Sequence, residues 1–393
     1  WPDNETVRND MLDYGFEIEH YDRQLGLMLA RLEELGELDN TVVIVTSDNG
    51  MPFPRAKGTQ YEYAHHMPLA VMWLRGVSAP GRREAACVSF VDIAPTVLEI
   101  AGTSPSAAGM SPLPGGSLVP LLRNEPDPCA ALHERALLGR ERHDNGRPGD
   151  QGYPIRGIVR NGWLYLCNIK PWLLPGGNPE TGYRDIDSSP TKTAILQLKR
   201  SGQDDRYYAL SMGQRPAEER YHVETDRECL TNRIGEISCR ILADSLRAEL
   251  FQTLREQGDP RMTDDGDVFD RYPYDKPGKE RIYERTVTGE IIPWEHSNWV
   301  LPTDYELQTK NRILSRGLGD VYKRQYVCRW QLATMTVPKP PIAPSSTRPK
   351  EASMQATSRS RSRSTRPATG LQRAMSGSRS SRPADRGVFS PSA

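Results

Sequence analysis

The sequence lacks long apolar runs and lacks any dense pattern of cysteines. No stretch approaches the roughly 20 consecutive apolar residues that a membrane-spanning helix needs, so no membrane partner is expected. The 393 residues include six scattered cysteines, and none of them forms a Cys-x-x-Cys pair. This spacing disfavours a zinc site and a disulfide scaffold, so we interpret the cysteines as structural thiols. Sequence alone does not decide whether Cys229 and Cys239 pair.

A net charge is also absent, because 51 Lys and Arg residues balance 51 Asp and Glu residues. The balance conceals an acidic body and a basic tail. Residues 315–393 hold 15 basic and 3 acidic residues, whereas residues 1–314 hold 36 basic and 48 acidic residues. An acidic body gives no indication of nucleic-acid binding, so no nucleic-acid partner is expected.

The basic tail has too few apolar residues to bury a core, which predicts a disordered segment. It contains the run SRSRSRSTRP. Such a tail could bind RNA or an anionic surface. The segment RGLGDVYKRQ, however, resembles sequence found at the ends of assembled metagenomic translations, which favours an artefact over a binding module.

The most informative segment is TVVIVTSDNGMPFPRAK, residues 41–57. Val42–Val45 form an unbroken β-branched run, which predicts a strand buried on both faces of a parallel sheet. Gly50 and two prolines then end regular structure. Asp48 and Asn49 are therefore expected at the carboxyl end of a central strand, where open α/β sheets bind ligands. Asp-Asn-Gly is also an ordinary turn tripeptide, and this alternative stays open.

The polar residues of this segment suit a metal and an anion. A carboxylate beside a carboxamide offers hard oxygen donors, which favour Ca²⁺ or Mg²⁺ over zinc, so Asp48 and Asn49 are candidate metal ligands. Arg55 and Lys57 bring positive charge to the same loop. A metal and a cation in one place indicate an anionic substrate.

Periodic apolar residues predict the elements around this segment. From Val7 to Leu35 they recur every three or four positions, which predicts an amphipathic helix lying on the sheet. Pro68–Trp73 is a predicted second buried strand. In the second half of the chain, Asn161-Gly162 between two apolar segments predicts a hairpin. Cys239–Gly258, with its leucines on one face, predicts a helix.

Two further polar clusters provide candidate site residues. His65 and His66 are adjacent, and histidines can bind metal or donate protons, although the pair is equally compatible with a loop. The polar loop GRERHDNGRPGDQGYPIRG, residues 139–157, contains His143 and Asp144. Long loops are often functional. The alternative is a surface loop held by its own polar contacts.

TVVIVTSDNG and MPFPRAK, followed by a Tyr-containing segment and MPLAVMW, resemble the sulfatase family, and most closely its heparan N-sulfatase (sulfamidase-like) branch. The resemblance runs from about Trp1 to the region of Tyr305. It implies an α/β, alkaline-phosphatase-like sandwich with a mostly parallel central sheet, plus a small antiparallel subdomain with one helix. We therefore expect residues 1–130 to belong to the α/β domain, 131–310 to the subdomain and 315–393 to the basic tail.

The resemblance implies a hydrolase that cleaves a sulfuric ester or sulfamate of a glycosaminoglycan-type sugar, with one Ca²⁺ and a formylglycine nucleophile. Formylglycine is made from the cysteine of a Cys-x-[Pro/Ala]-x-Arg motif, and none of the six cysteines lies in one. The first acidic ligand pair of the family is missing as well. We therefore interpret the chain as the C-terminal part of a longer enzyme, inactive alone. The candidate site residues are the metal ligands Asp48 and Asn49, the catalytic Lys57 and His66, and the substrate-binding Arg55, His143 and Asp144.

Two other functions stay open. One is a metal-dependent phosphohydrolase of the alkaline-phosphatase superfamily, although no Asp-x-x-x-His spacing follows Asn49. The other is a non-catalytic carbohydrate-binding relative. The expected partner is a sulfated carbohydrate, and a homodimer is left open. The resemblance implies export to a periplasmic, extracellular or lysosome-like compartment, although no segment of the sequence resembles a signal peptide.

Overall fold

The structure is a computed structural model that describes residues 1–237, 240–263, 265–274, 277–290, 292 and 300–306. The predicted tail and Cys239 lie outside these residues. The described helices are α1 Glu5–Glu34, α2 Glu62–His65, α3 Ile93–Ile100, α4 Val119–Arg123, α5 Pro190–Arg200, α6 Arg206–Ser211, α7 Arg240–Glu256, α8 Val268–Arg271 and α9 Ile282–Val287. The described strands are β1 Val43–Thr46, β2 Leu69–Met72, β3 Arg135–Arg140, β4 Ile155–Arg160, β5 Trp163–Asn168 and β6 Glu218–His222.

Strands β1 and β2 form a two-stranded antiparallel sheet, in which Val43 pairs with Met72 and Thr46 with Leu69. The prediction of a mostly parallel sheet is therefore wrong for this pair. A parallel neighbour needs a crossover connection, usually a helix of several turns. Here the chain between the strands folds back on itself, because the Gly50 N–H donates to the Ala64 carbonyl at 3.2 Å.

The expected burial of these two strands is also wrong. All four residues of β1 are half-buried, whereas Leu69 and Ala70 of β2 are exposed. Strand burial on both faces requires a layer on each side. Among the described residues, this two-stranded sheet does not have both layers.

Helix α1 confirms the predicted helix, and its first turn is capped by Asn4, whose side chain accepts the Val7 N–H at 3.0 Å. The helix packs mainly against α5 rather than on the sheet, and the Thr191 N–H donates to Asp10 at 3.0 Å. Within α1, all of which the structure describes, Val7 alone is buried. The prediction that α1 lies on the sheet is therefore not met among the described residues. Several large apolar side chains of α1 are more than half exposed: Leu12, Phe16, Ile18, Leu27 and Met28.

Strands β3 to β6 form a four-stranded antiparallel sheet in sequential order. The predicted hairpin is confirmed as β4 and β5, and its turn residues Asn161 and Gly162 both have positive φ, as a type I′ turn requires. Helix α7 confirms the predicted helix and packs Leu246 and Leu250 against Ile158 on one face of the sheet. The opposite face packs against residues of the preceding loops, including Tyr61 and Tyr153.

A third apolar cluster holds the connection between β5 and β6. Tyr183 and Ile186 from the loop pack against Ile195 and Leu196 of α5 and against Met212. Ser189 caps α5 by accepting the Lys192 N–H at 3.1 Å. The loop that ends at residue 189 is thus anchored at its carboxyl end.

None of the described helices combines the length and apolarity needed to cross a membrane.

Candidate functional site

Asp48 and Asn49 lie in the turn that directly follows β1, at the carboxyl end of the strand as predicted. The Asp48 carboxylate accepts the Asn49 N–H at 2.9 Å, and the Asn49 side-chain amide donates to the Gly50 carbonyl at 2.9 Å. Asp48 is exposed and Asn49 is half-buried. Both the ordinary turn and the metal-ligand interpretation are compatible with this geometry.

Gly50 fixes the position of this turn against α2. A Cβ at Gly50 would lie 1.8 Å from the Tyr63 carbonyl oxygen and 2.9 Å from the Ala64 Cα, so any side chain here would clash with backbone. The turn therefore lies directly against α2. Because His65 ends α2 and His66 follows it, both histidines belong to the same neighbourhood as the Asp48 turn.

The carboxylate of Glu62 engages both histidines. Glu62 is 5% exposed, and one of its oxygens accepts a hydrogen bond from His66 Nδ1, while the other lies 3.8 Å from His65 Nε2. The hydrogen bond to Glu62 raises the pKa of His66, whose side chain is 67% exposed. Burial lowers the pKa of His65. His66 is thus the histidine of the pair that can carry a proton towards solvent or substrate.

Lys57 is held by a residue that the sequence did not suggest. Its Nζ donates to an oxygen of Asp187 at 2.8 Å. His143 joins this pair, because a Cβ at the adjacent Gly58 would lie 3.3 Å from the His143 ring. Neighbouring groups that displace water from the His143 ring lower its pKa. Lys57, His143 and Asp187 therefore converge at one place, although they come from three separate loops.

Asp144, in contrast, is buried behind His143. Its N–H donates to Asp185 at 2.8 Å, and its carboxylate lies 3.5 Å from the Arg184 guanidinium. Asp144 is therefore part of an internal ion-pair cluster. Its role in substrate binding stays a prediction.

Asp185 is the centre of that internal cluster. One of its oxygens accepts hydrogen bonds from both Arg140 and Arg147, and all three side chains are buried. Burial alone would raise the pKa of Asp185, but the two guanidinium groups outweigh it and hold that pKa below its ordinary value. Arg140 also donates to the Gly58 carbonyl, and Arg147 donates to the Leu174 carbonyl at 2.8 Å. The cluster therefore ties together the three loops that carry Lys57, His143 and Asp187.

Arg55 points into a different environment from Lys57. Its guanidinium donates to the backbone carbonyls of Leu210, at 2.8 Å, and Cys229, and it lies 4.0 Å from the centre of the Tyr61 ring. Arg55 has a positive φ of 70°. These contacts attach the Lys57 loop to the segment around β6. A substrate-binding role for Arg55 stays a prediction.

The described residues fit a calcium ion in ligand type but not in number. Carboxylate and carboxamide oxygens are the donors that Ca²⁺ prefers, and the ion takes about six to eight of them. Asp48 and Asn49 can provide a part of this set. Among the described residues, no group of three or more His, Cys, Asp and Glu side chains is arranged to hold a metal ion.

Comparison with known proteins shows which family the first part of the chain is similar to. Residues 2–103 match the sulfatase family model. This segment of the chain is therefore similar to sulfatases. The matched residues include Asp48, Asn49, Lys57 and the Glu62–His66 cluster, whereas His143 and Asp187 lie beyond them.

Sulfatases are also found among its relatives. An ulvan-active sulfatase of Formosa agariphila is 25% identical over 274 residues, which cover 69% of this chain and 42% of that protein. The N-sulphoglucosamine sulphohydrolase of Homo sapiens is 28% identical over 212 residues, which cover 53% of this chain and 39% of that protein. A solved structure described as BT4656 in complex with its substrate D-glucosamine-2-N,6-O-disulfate is 22% identical, with a TM-score of 0.40, and the match covers 63% of this chain and 40% of that one. The chain thus spans less than half the length of each of these three proteins.

Proposed function

We propose that this chain is part of a sulfatase that hydrolyses a sulfuric ester or sulfamate bond of a sulfated sugar. The observation that carries the proposal is the sulfatase match of residues 2–103, which contains both the Asp48-Asn49 turn and Lys57. Relatives named for sulfated substrates, such as the N-sulphoglucosamine sulphohydrolase, support the sugar class. We extend the proposal to export from the cytoplasm, as expected from the family resemblance.

Lys57 would bind the sulfate group. An ammonium aimed at the sulfate oxygens stabilises the negative charge that they carry in the transition state, and such fixed charges contribute strongly to catalysis. In the described structure the Lys57 ammonium is paired with Asp187. A substrate sulfate would therefore replace Asp187 as the partner of Lys57.

His66 would supply the proton to the leaving group. A general acid works best when its pKa lies near the working pH, and the hydrogen bond to Glu62 raises the pKa of His66 from its ordinary value. Glu62 also orients the ring by engaging Nδ1, which leaves Nε2 as the atom that can donate. His143, whose pKa is lowered, would act as a neutral hydrogen-bond partner beside Lys57.

Two groups of the proposed enzyme would not come from the described residues alone. A Ca²⁺ ion held in part by Asp48 and Asn49 would polarise the sulfate oxygens when bound. The formylglycine nucleophile would come from sequence other than these 393 residues, because none of the six cysteines lies in the required motif.

The test is an activity measurement on the complete enzyme, obtained by recovering the coding sequence that adjoins this one. We expect release of sulfate from glucosamine 6-sulfate or glucosamine N-sulfate, with loss of turnover in Lys57→Ala. Release of phosphate from phosphomonoesters without release of sulfate would overturn the proposal in favour of a phosphohydrolase. Sugar binding without either reaction would favour a non-catalytic relative.

A further inference from the structure

A cavity of about 300 Å³ lies next to Tyr61, in the part of the molecule that contains Arg55. Its apolar lining consists of four aromatic and two aliphatic residues: Trp1, Tyr61, Tyr63, Tyr207, Leu210 and Leu230. We call it the aromatic cavity. Small-molecule pockets occupy about 300–1,000 Å³, so this volume suits one small ring rather than an extended chain.

The polar lining of the aromatic cavity is positively charged. It consists of Arg55, Arg206, Ser211 and Glu228, and the Glu228 carboxylate accepts a hydrogen bond from the Tyr63 hydroxyl at 3.1 Å. The Arg206 side chain is 64% exposed, and its carboxylate partner Asp204 lies 3.6 Å away. A guanidinium has five N–H donors, so Arg206 retains donors for a bound anion.

We propose that the aromatic cavity binds one anionic pyranose unit of a glycan, at a site separate from Lys57. Aromatic faces pack against the apolar C–H faces of a sugar ring, and the few polar groups at the edge of such a pocket fix orientation. Arg206 pairs with the charged substituent of that sugar. The choice of a sugar as the ligand class rests on the proposed function, whereas the shape and charge of the cavity do not.

The two sites lie on one short loop. Arg55 lines the aromatic cavity, whereas Lys57 pairs with Asp187, which is not part of the cavity lining. Only Ala56 lies between Arg55 and Lys57, so their backbones are at most about 7 Å apart. The side chains diverge, however, because Arg55 donates to the Leu210 and Cys229 carbonyls whereas Lys57 donates to Asp187. The aromatic cavity is therefore a binding site distinct from that of Lys57.

The test is a saturation-transfer NMR titration of the 393-residue chain with three probes: N-acetylglucosamine 6-sulfate, N-acetylglucosamine and inorganic sulfate. We expect saturation of the ring protons of both sugars and tighter binding of the sulfated one. Arg206→Gln should lower the affinity for the sulfated sugar about fivefold, which is the effect expected from the loss of one partly exposed ion pair. The matched control is Arg271→Gln, because Arg271 is 61% exposed and pairs with Asp265 outside the cavity.

A second variant fills the cavity. Leu230 is more than half exposed, so Leu230→Trp should place an indole in the cavity without disturbing a buried core. It should abolish binding of N-acetylglucosamine, which has no sulfate for Lys57. A melting temperature equal to that of the parent chain checks the fold. N-acetylglucosamine binding that survives in Leu230→Trp, or an absence of ring saturation in the parent chain, would overturn the proposal.

The variant Lys57→Ala separates this site from the proposed sulfate site. We expect it to leave binding of the unsulfated probe N-acetylglucosamine unchanged, because only a sulfated ligand would contact Lys57. If Lys57→Ala abolishes binding of N-acetylglucosamine and Leu230→Trp does not, the cavity proposal fails while the proposed sulfatase function stands. If sugar binds normally but the complete enzyme releases no sulfate, the proposed function fails while the cavity proposal stands.

Discussion

The Lys57 ammonium lies 2.8 Å from the Asp187 carboxylate, and the two side chains are 30% and 37% exposed. This pair joins a loop of the sulfatase-matched segment to a loop that precedes α5. Because both groups are reachable by solvent, an incoming anion competes with Asp187 for Lys57.

Asp187→Asn should strengthen the binding of inorganic sulfate to the chain. The substitution removes the competing negative charge but keeps the size of the side chain. Partly exposed ion pairs contribute up to about 1 kcal/mol, so the gain in affinity should not exceed about fivefold. Calorimetric titration measures it, with Asp265→Asn as a control for an ion pair elsewhere on the surface. Equal affinities in all three proteins would show that Asp187 does not compete for Lys57.

Lys57→Ala should reduce turnover of the complete enzyme far more than it reduces stability. A partly exposed lysine contributes little to folding, whereas a charge on the sulfate acts in the transition state. Sulfate-release kinetics and thermal unfolding, measured on the same preparation, separate the two effects. Parallel losses of activity and melting temperature would instead assign Lys57 a structural role.

Asp48→Ala should abolish metal binding and activity in the complete enzyme while leaving the fold unchanged, because Asp48 is exposed in the turn after β1. The 393-residue chain itself should bind Ca²⁺ weakly, since Asp48 and Asn49 provide fewer oxygens than the ion requires. Calorimetry with Ca²⁺ on both proteins tests the two statements. Tight calcium binding by the chain would mean that further ligands are present within it.

Asp185→Asn should destabilise the fold by about 3–5 kcal/mol, because it leaves Arg140 and Arg147 buried without their anionic partner. The folded-state pKa of Asp185 lies below its unfolded value of about 3.9. Its stabilisation is therefore present above that pH and is lost as the pH falls through the folded-state pKa. Urea unfolding at neutral and acidic pH measures both effects. A loss below 1 kcal/mol at neutral pH would contradict the positioning role of this cluster.

Glu62→Gln should lower the pKa of His66, which NMR titration of the imidazole signals can follow. The hydrogen bond to Glu62 raises the folded-state pKa of His66 above the unfolded value of about 6.5. The contribution of this pair to stability is thus full below that value and is lost as the pH rises through the folded-state pKa. His65, whose pKa burial lowers, should titrate on the acidic side of the same range. An unchanged His66 titration in Glu62→Gln would contradict the pairing.

The elements that sequence predicted correctly are those with local signals. Asn161-Gly162 marks the β4–β5 hairpin because few residues tolerate positive φ at both turn positions. The leucines of α7 recur on one face, and that face packs on the sheet. The placement of Asp48 and Asn49 after β1 was also predictable, because Gly50 and the prolines end the strand.

The direction and burial of β1 could not be predicted in the same way. An apolar run indicates a strand, but its partner and its covering layers depend on residues far along the chain. The contacts around Lys57 likewise depend on residues far along the chain. Asp187 is 130 positions from Lys57, and Asp185 is 45 positions from Arg140, and no local pattern relates such residues.

The packing of Gly50 against α2 has a consequence for the chemical ageing of the protein. Asn-Gly sequences deamidate when the glycine nitrogen attacks the preceding side-chain amide, a reaction that converts asparagine to aspartate or isoaspartate. In the Asn49-Gly50 turn this nitrogen is directed at the Ala64 carbonyl, at 3.2 Å, and Gly50 is buried. We therefore expect the contact that positions α2 also to slow deamidation of Asn49, a candidate metal ligand.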